Sequence, residues 1–362
     1  MSFDPNKPFN ELPQLPPKSE IETKAILKKA ISANKALAEL KGIAELIPNQ
    51  NILLNTLVLE EARDSSAIEN VITTRDKLYE ALAISSHKID PATKEVLNYR
   101  KALWKGFNVV KHKGFLSTNM IIDIQSELVE SNAGIRKLPG TVLQNDSTNE
   151  VIYTPPAGEA NIRVLLKNFE DYLNSSNGID PLIKLSVLHY QFESIHPFYD
   201  GNGRTGRIIN VLYLALNELI DLPILYLSSY IIKNKPDYYR FLREVTYNKN
   251  WERWILYMLD AIEFTAIDTS VKIKKIKKLL DAAVLEVKEK LPKIYSKELV
   301  ELLFNEPYCR IGNIVSSGLA ARKAAGIYLR ELEKLNILSS KKIGSDVIFI
   351  NNKIYNLFKG NK

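Results

Sequence analysis

The sequence contains little that is typical of a secreted or membrane protein. Cys309 is the one cysteine in 362 residues, so an internal disulfide is excluded. The N-terminus has no apolar segment that resembles a signal peptide, and no apolar run is long enough to cross a bilayer. Internal repeats of the kind that build solenoids are also absent. We therefore expect a cytoplasmic protein.

Composition and periodicity predict a mainly α-helical protein of several units. Hydrophobic residues make up 45% of the chain and charged residues 25%, which is ordinary for a globular protein. Apolar residues recur every three or four positions after residue 21, beginning with Ile26, Ala30 and Ala33. The predicted units are an extended, proline-rich arm over residues 1–18, a helical region over 19–89, a helical core over 90–268, a linker helix over 269–291 and a C-terminal domain over 292–362.

The most informative segment is HPFYDGNGRTGR, residues 196–207, which places a base, a carboxylate, three glycines and two arginines in one loop. A neutral His196 can take a proton near neutral pH, and Asp200 can hold a hard cation. The glycines let backbone N–H groups close around an anion. Together these residue types predict an active site that handles phosphate.

The same segment also satisfies the G-x-G-x-x-G pattern of dinucleotide-binding proteins, but its context differs. That pattern needs a strand before it and a helix after it. Leu185, Leu188, Phe192 and Ile195 recur at helical spacing instead, and residues 208–220 are apolar almost all round, as in a buried helix. No segment matches the Walker pattern G-x-x-x-x-G-K-[ST]. The context is therefore helix, loop, helix, with the glycines at a helix N-terminus that favours phosphate.

The segment resembles the active-site signature HPFx[DE]GNGRxxR of the Fic family and meets every fixed position. The resemblance implies a Fic helical bundle with a β-hairpin flap, and transfer of AMP from ATP, with Mg²⁺, to a Tyr, Thr or Ser hydroxyl of a protein. His196 would be the general base, Asp200 the Mg²⁺ ligand and Phe198 a structural anchor. The nucleotide-binding residues that the signature implies are Gly201, Asn202, Gly203, Arg204, Thr205, Gly206 and Arg207. Kinase-like relatives carry lysine at the position of Gly203, so this loop is more similar to the AMP-transferring members.

A second segment, SSAIEN at residues 65–70, resembles the family's inhibitory motif [ST]-x-x-x-E-[GN]. Ser65 and Glu69 are four residues apart, so they lie on the same face of a helix. The resemblance implies that Glu69, together with Ser65 and Asn70, acts in cis. Glu69 would pair with Arg207 and withhold this arginine from the γ-phosphate of ATP.

Two further segments supply candidate contacts. Residues 140–144 and 151–154 alternate like the strands of a short hairpin around a polar turn at 145–150. This hairpin resembles the Fic flap, which holds a target segment by strand addition. The predicted target-binding residues are Val151, Ile152, Tyr153 and Thr154. Tyr238 and Tyr239 are predicted nucleotide contacts, and an ordinary core role stays open for both.

The C-terminal segment is predicted to be a winged helix, with a long helix followed by two short strands around Gly344. Residues 291–362 contain 12 Lys and Arg against 6 Asp and Glu, nearly the whole excess of +7 of the chain. Arg322, Lys323 and Arg330 lie on the candidate recognition helix, which would fit contacts to DNA phosphates. Winged helices also dock proteins, so that alternative stays open.

These observations predict a protein adenylyltransferase that is autoinhibited by Glu69 and that modifies target proteins and itself. Two alternatives remain. One is a transcriptional regulator in which the Fic core senses a nucleotide, and the other is an enzyme that removes AMP. The expected partners are a protein substrate, DNA through the C-terminal domain, and a second copy of the chain in a homodimer.

Overall fold

The computed structural model describes residues 3–84, 89–144 and 148–359, and these residues are mainly helical, as predicted. The N-terminal region comprises α1 (Lys24–Ala44), α2 (Asn51–Ile68) and α3 (Arg75–Ala83). Thr23 caps α1 by accepting a hydrogen bond from the backbone N–H of Ile26. None of the described helices is long and apolar enough to cross a membrane.

The central region holds seven helices and a two-stranded hairpin among its described residues. Their bounds are α4 (Pro91–Lys113), α5 (Thr118–Val129), β1 (Leu143–Gln144), β2 (Val151–Tyr153), α6 (Glu159–Asn174), α7 (Pro181–Ile195), α8 (Asn202–Leu216), α9 (Ser228–Lys233) and α10 (Lys235–Asn248). Helices α7 and α8 are buried almost all round, with apolar residues on most faces of α7 and on α8 from Ile208 onward. The predicted helix, loop, helix context of residues 196–207 is therefore confirmed.

The predicted flap is the antiparallel pair β1 and β2, in which Leu143 lies opposite Tyr153 and Gln144 opposite Val151. Part of its predicted polar turn, residues 145–147, lies outside the described residues. The N-terminal arm packs against the end of this hairpin. Phe9 donates its backbone N–H to the carbonyl of Thr154, and the ring of Phe3 stacks on Tyr153.

The predicted boundary at residue 268, between the core and the linker helix, falls within a helix. One helix, α11 (Trp251–Lys290), runs through it without interruption for 40 residues. Buried residues continue at helical spacing beyond the boundary, with Ile273, Ile276 and Leu280 all packed. Helix α1 lies along α11 and joins it through Lys29, which pairs with Asp260 and Glu263.

The C-terminal region follows the predicted order of elements. It comprises α12 (Lys297–Asn305), β3 (Tyr308–Cys309), α13 (Ile311–Ser316), α14 (Arg322–Lys334), β4 (Leu338–Ile343), β5 (Asp346–Asn351) and α15 (Asn352–Lys359). Strand β5 lies between β3 and β4, and Gly344 turns the chain between β4 and β5 with a positive φ of 58°. Strand β3 and helix α15 were not predicted. The region rests on α2 and α3, where Tyr308 stacks on Tyr79 and donates a hydrogen bond to Asp76.

Candidate active site

The candidate base lies where α7 ends. His196 is the C-cap of α7 and adopts a left-handed conformation with φ 47° and ψ 60°, which is uncommon for a residue with a side chain. Burial, reinforced by the nearby Arg136, lowers the pKa of His196 to about 4. Its Nδ1 atom finds no hydrogen-bond partner in the part of the chain that the structure describes. The imidazole is therefore neutral at physiological pH and able to accept a proton.

The glycine turn after His196 begins helix α8. Gly201 is its N-cap, with φ 76°, and a Cβ there would lie 2.8 Å from a side-chain carbon of Val129. Both facts require glycine at this position. Because Gly201 has no side chain to cap the helix, the N–H groups of the first turn remain for a ligand.

Two predicted nucleotide-binding residues, Asn202 and Thr205, have side chains that are buried in the protein. The Asn202 amide donates to the carbonyl of Phe198, accepts from its backbone N–H, both at 2.8 Å, and is 3% exposed. Thr205 is fully buried, and Gly206 faces the carboxyl group of Glu193. Phe198 is itself buried, as predicted. The side chains of Phe198 and Asn202 therefore shape the loop, and phosphate contacts of Asn202, Thr205 and Gly206 would come from their backbone.

Arg204 and Arg207 converge on Glu69, the first residue after α2. Arg207 donates through Nη2 to Glu69 Oε1 at 2.7 Å, and Arg204 donates through Nε to Glu69 Oε2 at 2.9 Å. Both guanidinium groups are 3% exposed, whereas the Glu69 side chain is 27% exposed. Burial opposes ionisation of Glu69, but Arg207 and then Arg204 outweigh it and hold its pKa below the usual value. The expected pair of Glu69 and Arg207 is present, and Arg204, which the motif did not indicate, also bonds to Glu69.

Ser65 and Gly203 complete this contact. Ser65 accepts hydrogen bonds from Arg207 through Oγ at 2.7 Å and through its carbonyl at 2.9 Å. A Cβ on Gly203 would lie 2.4 Å from Glu69 Oε1 and 2.9 Å from Arg207 Nη1. Only a residue without a side chain leaves the carboxylate where it is. Asn70 follows in a left-handed conformation, with φ 63°.

Asp200 is the residue best placed to hold a cation. Its side chain is 72% exposed, and Oδ1 accepts from the N–H of Gly201 at 2.6 Å and from Arg204 at 3.3 Å. The described residues contain no group of three or more metal-ligating side chains. A single exposed carboxylate fits Mg²⁺, which commonly takes one or two carboxylates and completes its shell with phosphate oxygens and water.

A cavity of about 700 Å³ lies between Glu69, the flap, α7 and α10, within the size range of small-molecule sites. Ile152 and Tyr153 line it from the flap, and Tyr239 lines it from α10. Tyr238 does not: it is 2% exposed, and its hydroxyl bonds to the ring of His189. The expectation that Tyr238 contacts a nucleotide is therefore corrected, because the helix turns that residue into the core.

The predicted target-binding strand divides into two pairs. Val151 and Ile152 are partly exposed. Tyr153 and Thr154 are buried and engaged elsewhere, since Tyr153 donates to the carbonyl of Ser194 and Thr154 donates to the carbonyl of Pro5. The second pair anchors the flap.

Several residues of the site were not predicted. Glu95 shares Arg204 with Glu69, at 2.8 Å. Burial raises the pKa of Glu193 to about 7, and its Oε1 is buried without a hydrogen-bond partner among the residues that the structure describes. Glu61 on α2 has a similarly raised pKa of about 7 because it is buried, and it accepts from Tyr99 and Ser228. No local pattern distinguishes these glutamates, because each acquires its role from helices distant in sequence.

The candidate DNA-binding residues lie outside this site. Arg322, Lys323 and Arg330 are exposed on α14, and none of them forms an ion pair with a described residue. On the adjoining hairpin, Lys341 pairs with Glu80 of α3 at 2.6 Å.

Three family models match the chain in consecutive order. The "Fic/DOC family N-terminal" model matches residues 27–108, the "Fic/DOC family" model residues 115–214, and the "Protein adenylyltransferase SoFic-like, C-terminal domain" model residues 279–354. Similar curated proteins include the protein adenylyltransferase Fic of Drosophila willistoni, 45% identical over 56 residues, and that of Drosophila mojavensis, 43% identical over 56 residues. These matches span 15% of this chain and 11% of each relative.

Solved structures share the fold. A Fic family protein from Desulfovibrio desulfuricans aligns with a TM-score of 0.58 and 18% identity, covering 93% of this chain and 98% of the other. A Fic-domain signaling protein from Bacteroides thetaiotaomicron aligns with a TM-score of 0.55 and 17% identity, covering 68% of this chain and 97% of the other.

Proposed function

The chain belongs to the Fic/DOC family, and from that premise we propose that it is an adenylyltransferase, which moves AMP from ATP to a hydroxyl group of a protein. One observation carries the proposal. A neutral imidazole, His196, lies just before a glycine-capped helix N-terminus that also presents two buried arginines. This arrangement joins a proton acceptor to a phosphate-binding site.

In the proposed reaction, His196 accepts the proton of the target hydroxyl as its oxygen attacks the α-phosphorus of ATP. The bond from the α-phosphorus to the bridging oxygen breaks, and pyrophosphate leaves with the bonding electrons. Arg204 and Arg207, once free of Glu69, neutralise the charge of the leaving phosphates. Mg²⁺ held by Asp200 would supply further charge neutralisation at the phosphates.

The same geometry supports autoinhibition by Glu69. The carboxylate takes donors of both arginines, so a γ-phosphate that needs them has to displace it. The arrangement is intramolecular, because Glu69 and the two arginines belong to one chain. We propose that activity requires α2 or its end to release Glu69.

Target binding is proposed at the flap. Val151 and Ile152 of β2 are partly exposed, and a two-stranded hairpin offers an edge for an added strand. Backbone hydrogen bonds would hold the target segment near His196, and Tyr153 and Thr154 would keep the flap in place.

The proposal is tested by labelling with ATP that carries ³²P at either the α- or the γ-position. Wild type, His196→Ala and Glu69→Gly are incubated with Mg²⁺ and cell lysate, and the proteins are separated on gels. We expect α-label on proteins, increased by Glu69→Gly and absent with His196→Ala. Label from the γ-position that is lost with His196→Ala would indicate phosphorylation by this protein instead, and α-label with His196→Ala would contradict the assignment of the base.

A second function, duplex DNA binding, is favoured by α14. Arg322, Lys323 and Arg330 are exposed there, on the helix that precedes the hairpin β4–β5, and none of them forms an ion pair with an acidic residue that the structure describes. In a winged helix this helix enters the major groove. Such a protein could also report nucleotide binding in the Fic core to DNA.

A salt-titrated gel shift with the full chain tests this second function. Alanine at all three positions should abolish a shift seen at low salt. A control with alanine at Lys24, Lys28 and Lys35, exposed lysines of α1, removes equal charge elsewhere and should bind like wild type. No shift for the wild type at low salt would favour a protein-docking role.

A further inference from the structure

Arg136, between α5 and β1, is a buried cation whose side-chain hydrogen bonds, within the described residues, go to carbonyl oxygens. It is 1% exposed. Its Nε donates to the carbonyl of His196 at 2.7 Å, and its Nη2 donates to the carbonyls of Ile195, at 3.3 Å, and Pro156. No carboxylate within residues 3–84, 89–144 and 148–359 forms an ion pair with it. A buried cation is costly unless its contacts compensate, so these carbonyls are its counter-charge.

The carbonyls form a continuous row at the end of α7. The Tyr153 hydroxyl of the flap donates a hydrogen bond to the carbonyl of Ser194, and the Arg136 guanidinium donates to the carbonyls of the next two residues, 195 and 196. The backbone N–H of Arg136 donates to the carbonyl of Pro197 at 2.9 Å. The C-terminus of a helix carries partial negative charge and unpaired carbonyls. Arg136 therefore satisfies the end of the helix that presents His196.

The bonds to this row hold a strained residue. His196 is left-handed, and such a conformation persists only when its surroundings determine it. The planar guanidinium donates hydrogen bonds to the carbonyls of both Ile195 and His196. These bonds fix the peptide groups on either side of the strained φ and ψ of His196. Through Pro156, the same group also ties the base of the flap to the catalytic loop.

We propose that Arg136 is a positioning residue, which holds His196 in its left-handed conformation and fixes the flap relative to it. This inference rests on the proposed function in one respect, that His196 is the base. Arg136 itself touches no reacting atom.

The charge of Arg136 has a second effect on the base. Arg136 reinforces burial in lowering the pKa of His196, whereas the backbone of Glu193 and the carboxylates of Glu69 and Asp200 act in the opposite direction. Without the Arg136 cation, burial alone would still lower the pKa of His196, and the remaining neighbours would all raise it. The imidazole would then begin to protonate at higher pH.

Two variants separate geometry from charge. Arg136→Lys keeps the charge and loses the planar pair of donors, and Arg136→Gln loses the charge. Lys137→Met removes an exposed neighbouring charge and is the matched control. The first readout is the pH titration of the His196 ring by ¹⁵N NMR of the full chain without nucleotide, assigned with His196→Asn. The second is kcat and KM for ATP in a Glu69→Gly background.

We expect Arg136→Gln to make His196 titrate at higher pH than in wild type. Arg136→Lys should leave the titration near the wild-type position but lower kcat about 100-fold, the size of effect that a small misplacement of a catalytic group produces, with less change in KM. Lys137→Met should change neither readout.

If folded Arg136→Lys has the kcat of wild type, the positioning role is overturned. If Arg136→Gln does not fold, the result for Arg136→Lys decides alone. If His196 titrates in folded Arg136→Gln at the same pH as in wild type, the inference is also overturned, because Arg136 would then have only a structural role. The titration requires no AMP transfer. If the protein proves to have a different activity, the NMR result still reports on Arg136, so the two failures remain distinguishable.

Discussion

Replacing Glu69 by glycine should strengthen ATP binding selectively. Glu69 makes one charge-assisted hydrogen bond to each of Arg204 and Arg207. Such bonds contribute about 1.5–3 kcal/mol each, and the lower value is appropriate because the Glu69 side chain is 27% exposed. Two bonds at the lower value amount to about 3 kcal/mol, or roughly a 100-fold change in affinity.

The assay is calorimetric titration with Mg²⁺ and either AMP or an α,β-methylene analogue of ATP, so that no turnover occurs. Glu69→Gly should bind the triphosphate analogue about 100-fold more tightly than wild type. Its affinity for AMP should change little, because AMP lacks the phosphate that competes with Glu69.

Glu95→Gln is the matched control for this titration. It removes another carboxylate from Arg204 but leaves the bond between Glu69 and Arg207, so it should bind the analogue nearly as wild type does. An equal gain for AMP and for the analogue, or no gain for either, would refute the reasoning that Glu69 occupies the phosphate-binding arginines.

Two further predictions concern close packing and pH. Gly203→Ala should destabilise the wild type by about 1–3 kcal/mol in chemical denaturation and cost clearly less in a Glu69→Gly background, because the colliding carboxylate is then gone; equal costs would contradict this. Glu193→Gln should stabilise the protein at pH 8 and not at pH 4.5. The pKa of Glu193 is raised to about 7, so its burial destabilises the fold increasingly as pH rises from 4.5, by about 3 kcal/mol in total. If thermal unfolding shows the same difference in stability between Glu193→Gln and wild type at both pH values, this prediction is wrong.

The helices and the loop were predictable because their signals are local. Apolar spacing placed α7 and α8 around residues 196–207, and the separation of four residues placed Ser65 and Glu69 on one side of α2. The family signature then indicated which arginine Glu69 would meet, and Arg207 does meet it.

Other features depend on packing between distant segments and had no local signal. The continuity of α11 past residue 268 follows from its contacts with the rest of the bundle. Tyr238 and Tyr239 are adjacent in sequence, yet only tertiary structure determines which of them faces the cavity. Arg136 lies in an irregular segment, and its role arises from carbonyls about 60 residues away.

The most direct test of a guarded active site over His196 is the intact mass of purified protein after incubation with Mg²⁺ and ATP. Glu69→Gly should gain the mass of one or more AMP groups by self-modification. The double variant Glu69→Gly, His196→Ala should gain none. An AMP adduct on the double variant, or a phosphate adduct on either protein, would contradict the account.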